Sequence, residues 1–143
     1  MTLQARPTTY NGIAMRSRLE ARFAALWDHL GWVWEYEPRA YASPAGQYLP
    51  DFLIVDDRCA GGCRHGPTFI EVKGTVALDA VAGIQKRMEI ILESEPGATL
   101  ILVVEDGSAF YWRTVPDRRF IRWEEAWSGP RHLPAKWSRA LTP

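Results

Sequence analysis

Asp51, Glu71 and Lys73 are the residues whose types and spacing could do chemistry together. They stand in "LPDFL" and "TFIEVKG", two apolar stretches with the composition of strands. In an extended "FIEVKG" successive side chains alternate between faces, so Glu71 and Lys73 share one face while Ile70 and Val72 share the other. Antiparallel pairing of the two strands would bring Asp51 opposite Glu71. Two carboxylates converging on one point repel unless a cation lies between them. Magnesium suits such a point, because it takes oxygen ligands at about 2.1 Å and keeps several waters, so that one or two carboxylates and a substrate phosphate complete its shell.

Lys73 stands out against the composition. Of 17 basic residues only Lys73, Lys86 and Lys136 are lysines, so a lysine here suggests a role that arginine would not fill. A compact ammonium on a flexible stem can give up its proton when buried, whereas a guanidinium stays charged. Taken singly, each of the three residues reads as an ordinary strand-end charge, and a surface ion pair contributes only about 0–1 kcal/mol. The chemical reading rests on their conjunction.

The elements that must position them follow from periodicity. From Arg16 to Leu30 the apolar residues Leu19, Phe23, Leu26 and Leu30 fall at helical spacing, and Gly31 stands where a C-terminal cap belongs. "WVWEYEP" alternates Trp32, Trp34 and Tyr36 against Val33, Glu35 and Glu37, which predicts a strand with one better-buried face. "SPAGQ" reads as a turn and "YLPDFLIV" as the returning strand, with Pro50, which lacks a backbone donor, at its start or at an irregular point. "TFIEVKG" is the third strand. Val81, Ile84, Met88 and Ile91 predict a second amphipathic helix over about 78–93, and "ATLILVVE" a strand buried on both faces. "EDGS" is a turn signal and "AFYWRTV" a strand pairing back.

The order helix, three strands, helix, two strands makes the class α/β with a central mixed sheet flanked by helices. At 143 residues the chain is one domain, with residues 1–12 a loosely held arm, 13–115 the core and 116–143 an extension rich in tryptophan and arginine. In that extension "IRWEEAW" predicts a short helix. Its arginines and tryptophans have the chemistry to follow a nucleic-acid backbone or stack on bases, although core or lid packing is the plainer use of so many tryptophans.

A formal net charge of zero provides no global attraction to a polyanion, so any nucleic-acid binding must rest on a local patch or a metal ion. No apolar run approaches the roughly 18 residues needed to span a bilayer, and the start lacks the apolar core of a secretory signal, so a cytoplasmic location is expected. Cys59, Cys63 and His65 in "CAGGCRH" would bind zinc only with a fourth ligand such as Asp57 or His132. The four-ligand pattern is incomplete, and two reduced thiols on a glycine-rich loop are the plainer reading.

"PD", nineteen residues and then "EVK" resembles the signature of the PD-(D/E)XK nuclease superfamily, with Pro50, Asp51, Glu71, Val72 and Lys73 at the matching positions. The resemblance extends over roughly residues 16–105 and implies that superfamily's restriction-endonuclease-like αβββαβ core. Many members carry a glutamate on the first core helix, and "RSRLEA" puts Glu20 there, although Ser17-x-x-Glu20 is also a capping box. The resemblance implies that Asp51, Glu71 and the Val72 carbonyl hold Mg2+, with Mn2+ able to substitute, and that Glu20 reaches it directly or through water. Lys73 would orient or help deprotonate the attacking water and offset charge on the phosphate. A polar residue on the second helix faces the site in related families, which makes Gln85 a candidate for positioning phosphate or water. Arg16, Arg18, Arg22 and Lys86 are candidate contacts to a DNA backbone.

The function expected on this resemblance is Mg2+-dependent hydrolysis of phosphodiester bonds in DNA. A chain this short leaves little room for a recognition domain, which favours a structure-selective or weakly specific endonuclease similar to small phage or mobile-element nucleases and to junction resolvases. A resolvase would act as a homodimer, though no self-complementary patch in the sequence demands one. Two other classes compete: a non-catalytic DNA-binding or assembly subunit of the same fold, and a zinc-stabilised interaction module centred on Cys59, Cys63 and His65. Competent residues at all four catalytic-type positions weigh against the first of these.

Overall fold

The computed structural model describes residues 6–56, 67–106, 108–113 and 121–122. The chain opens with a hairpin, β1 (Thr8–Tyr10) paired antiparallel with β2 (Ile13–Met15). Over the described residues 8–12 this corrects the expectation of a loose arm; residues 1–5 lie outside them. Its turn is Asn11-Gly12 with both φ angles positive, 47° and 79°, and Asn-Gly between short β-forming runs is a strong hairpin signal because it matches the strand twist.

Helix α1 (Arg18–His29) starts at Ser17, whose hydroxyl accepts from the Glu20 amide at 3.1 Å. It ends in a Schellman motif. Gly31, at φ 77°, and Trp32 donate to the carbonyls of Asp28 and Trp27 at 3.0 and 2.9 Å.

After β3 (Val33–Tyr36), the stretch expected to turn once and return as a single strand instead makes a separate hairpin, β4 (Tyr41–Ser43) with β5 (Gly46–Tyr48). Strand β6 (Phe52–Asp56) begins only beyond Pro50, whose missing N–H cannot continue a ladder. Strand β7 (Thr68–Lys73) follows, then α2 (Leu78–Met88), which tightens into a 3-10 turn over Glu89–Glu93, and β8 (Thr99–Val104) and β9 (Ala109–Arg113). Ile121 and Arg122, expected in a helix, form strand β10 against β9. The remainder of the extension, with Trp123, Trp127 and Trp137, lies outside the described residues.

Six strands make one mixed sheet in the order β10-β9-β8-β7-β6-β3. All neighbours are antiparallel except β7 and β8, which run parallel and are joined through α2. Alternation divides the core. Ile70, Val72, Ile101 and Val103 pack with Phe23, Ala24 and Trp27 of α1, whereas Phe69 and Leu100 pack with Met88 and Ile91 on the other face. Trp27 is fully buried, its ring meeting Phe52 edge-on at 4.5 Å. The protein is therefore a mixed α/β fold with helices on both faces of the sheet. Among the described residues no helix is long and apolar enough to cross a membrane.

Candidate active site

The site lies where β6 and β7 part. Their pairing runs only from Phe52↔Ile70 to Ile54↔Thr68, so Glu71, Val72 and Lys73 extend past it. Asp51 closes the gap with its side chain: Oδ2 accepts the Val72 amide at 2.8 Å, standing in for the next ladder partner. Its own carbonyl accepts from the Glu37 amide at 2.8 Å. Pro50 ends the preceding stretch just before this point, so "PD" combines a residue that stops a ladder with one whose side chain replaces it.

Glu71 is 4% exposed, a buried carboxylate that must be satisfied from several sides. Lys73 Nζ lies 3.3 Å from Oε1, in keeping with the shared face expected from strand alternation. Arg87 Nη2 approaches the same oxygen at 3.8 Å from α2. Oε2 accepts from the Tyr48 hydroxyl at 2.5 Å. Tyr48 is itself buried, and burial together with the Glu71 charge pushes its phenol far above the ordinary tyrosine range.

Glu20 is also 4% exposed. Its Oε1 accepts from Ser17 Oγ at 2.9 Å and its Oε2 from the Tyr36 hydroxyl at 3.1 Å, so it serves the helix start and turns inward at once. Tyr36 in turn accepts from the Arg16 amide at 3.0 Å. Burial, above all, raises the Tyr36 phenol well beyond its usual range, so it acts as a neutral donor.

Asp51 registers all of these charges. Burial first, then Glu71 and then Glu20, push its carboxyl up to about 8 from 3.8, while the Val72 N–H and the Lys73 ammonium pull the other way. Glu71, Glu20 and Lys73 thus all act on the Asp51 carboxyl at the end of the sheet, and of these Glu71 and Lys73 are in direct contact with each other. Among the described residues no three His, Cys, Asp or Glu side chains are grouped so as to hold a metal by themselves. Magnesium needs only one or two carboxylates, and a carboxylate held up to about 8 by burial and by its neighbours is one whose ionised form a cation would favour. The donor chemistry fits.

Other expected residues lie apart from this cluster. Gln85 donates to Glu89 at 3.3 Å one turn along its own helix, and Lys86 is exposed; Arg87, which the sequence reading passed over, is the α2 residue that reaches Glu71. Arg16 pairs with Glu37 at 2.9 Å. Arg18 and Arg22 line a cavity of about 570 Å³ beside Glu105, and Arg22 approaches Glu105 at 4.0 Å. The Glu105 amide donates to the Lys73 carbonyl at 3.1 Å, so this groove adjoins the site. Cys59, Cys63 and His65 lie outside the described residues.

Tyr48, Tyr36 and Arg87 carried no sequence signal of their own. Arg87 stands one residue before the buried Met88, on the flank of the amphipathic helix, and only a helix docked on the sheet shows which flank meets Glu71. No protein-family model matches the sequence, and no curated protein matches it either.

Proposed function

We propose that this protein is a metal-dependent nuclease that hydrolyses phosphodiester bonds in DNA, with Asp51, Glu71 and Lys73 at its centre. The observation that carries the reading is the Asp51 carboxylate seated on the Val72 amide, its proton affinity raised by burial, Glu71 and Glu20, with Lys73 3.3 Å from Glu71. The order α1, β3, β6, β7, α2, β8, with β7 and β8 parallel, supports a restriction-endonuclease-like αβββαβ core.

Asp51, Glu71 and the Val72 carbonyl would hold Mg2+, or Mn2+ in its place. When bound, the ion supplies positive charge to the scissile phosphate and lowers the pKa of an attacking water. Glu20, fixed by Ser17 and Tyr36, adds negative charge on the α1 side and can receive a water-mediated contact. Lys73, whose side chain is 37% exposed, orients the water and meets charge developing on the phosphate. Arg87, at 58% exposed, takes the place expected of Gln85 and offers a fork of donors to a phosphate oxygen. The groove of α1 would offer Arg18 and Arg22 to a DNA backbone, with Glu105 on its wall as the opposing charge.

The test is cleavage of supercoiled plasmid, linear duplex, single strand and a four-way junction with Mg2+ or Mn2+. Cutting by the wild type that Asp51→Asn and Lys73→Ala abolish, with the fold retained, is the expected result. A wild type that cuts none of these substrates with either metal overturns the proposal.

A further inference from the structure

Tyr48 has no part in the reaction as written above, yet it makes the closest contact with Glu71. We infer that Tyr48 is a positioning residue, which holds Glu71 in the one orientation that presents Oε1 to the metal. The inference rests on the nuclease reading for the metal itself, and on independent geometry for the tyrosine.

The two oxygens of Glu71 are treated differently. Oε2 receives a neutral hydroxyl from a side chain 4% exposed, whereas Oε1 receives the tips of two long, partly exposed cations, Lys73 and Arg87. A neutral donor fixes the carboxylate plane and leaves its negative charge in place. Lysine and arginine tips can swing outward toward a phosphate at little cost, so Oε1 is the oxygen that can change partners.

The tyrosine, by contrast, is anchored. It pairs across the β4–β5 hairpin with Tyr41, and both rings belong to the core cluster formed with Phe69, Met88 and Ile91. The Arg87 guanidinium also lies 5.7 Å from the Tyr48 ring centroid, so one side chain touches both the positioned residue and its positioner. A hairpin outside the main sheet thus contributes one hydroxyl to the end of β7. Groups that orient metal ligands in this way typically alter metal affinity by about 10–100-fold when removed.

The experiment measures Mn2+ binding to the free protein by electron paramagnetic resonance, alongside the Mg2+ concentration needed for half-maximal plasmid nicking, for the wild type, Tyr48→Phe, Glu71→Gln and the double variant. Tyr48→Phe is expected to weaken Mn2+ binding about tenfold and to raise the Mg2+ requirement by a similar factor. It should add nothing in the Glu71→Gln background, because it acts only through Glu71. Binding and Mg2+ requirement equal to the wild type, or full additivity with Glu71→Gln, overturns the inference. If thermal unfolding shows that Tyr48→Phe does not fold, the wild type carries the test by nuclear magnetic resonance: the assigned Tyr48 ring signals should shift when Mg2+ is added, and unshifted signals overturn the inference. A wild type that binds no Mn2+ and cuts no plasmid overturns the nuclease reading and this inference with it. A wild type that does both, with a matching Tyr48→Phe, overturns the role of Tyr48 alone.

Discussion

The two hairpins outside the main sheet end in the same bond. Tyr10 on the first donates to Asp28 Oδ2 at 2.5 Å, and Tyr48 on the second donates to Glu71 Oε2 at 2.5 Å. The first carboxylate is exposed and also accepts from Trp34 Nε1 at 2.8 Å and Asn11 Nδ2 at 3.4 Å, so it is a fastening point for β1–β2, α1 and β3. The second is buried, faces two cations and lies beside Asp51. Geometry alone does not separate the two bonds. Solvent does: water can replace the hydroxyl at Asp28, but it has little access to Glu71.

The largest contrast should appear in activity. Lys73→Ala should lower plasmid cleavage by about 10²–10³-fold, the loss typical for a group aimed at developing charge. Asp28→Asn, at the fastening point, should leave cleavage at the wild-type rate. Equal losses in both variants would break the distinction between a site and an attachment.

A second contrast lies in pH. The Asp51 carboxyl holds its proton up to about 8 in the folded chain against 3.8 ordinarily. Between those values the folded state binds a proton that the unfolded state has released, so stability without divalent metal should fall as pH rises through that window and level off above it. Melting temperatures in a chelator across that range should show this decline, and Asp51→Asn should flatten it. Added Mg2+ should raise the melting temperature more at the alkaline end than at the acid end, since it favours the ionised carboxylate.

Stability of the hairpins gives a smaller effect. Tyr48→Phe leaves a buried carboxylate oxygen without its donor and should cost about 1–3 kcal/mol in denaturant unfolding, while Tyr10→Phe should cost about 0.5–1 kcal/mol because water substitutes. The turn of the first hairpin falls in the same small range. Gly12 has φ 79° with open space around it, so Gly12→Ala meets no steric contact and should cost only the backbone strain of about 1 kcal/mol, with cleavage unchanged.

How much was legible follows from the range of each interaction. The apolar alternation of "FIEVKG" put Glu71 and Lys73 on one face, and the 3.3 Å contact bears this out. Helix spacing and Gly31 marked α1 to within two residues at each end, because caps and periodicity are local. The Asn11-Gly12 signal was equally local, but a short polar stretch near the chain start reads more readily as an arm. The sequence points to Gln85 and Lys86 and not to Arg87, because a helical wheel shows which residues are exposed and not which exposed residue meets a buried carboxylate. The second hairpin was hidden because Tyr41 and Tyr48 look like parts of the strands that flank them in sequence.

By itself, then, the sequence determined α1, α2, the presence of β3, β6, β7, β8 and β9, and the face shared by Glu71 and Lys73, since these depend on periods of two and 3.6 residues and on proline and glycine chemistry. The tertiary structure alone decided that the Asp51 side chain replaces a ladder partner at Val72, that Glu20 turns inward onto Tyr36, and that Tyr48 and Arg87 meet at Glu71. Each of these joins residues far apart in the chain or on different elements. No local pattern encodes such contacts, because they form only when helices and hairpins dock on the sheet and buried polar groups must find partners there.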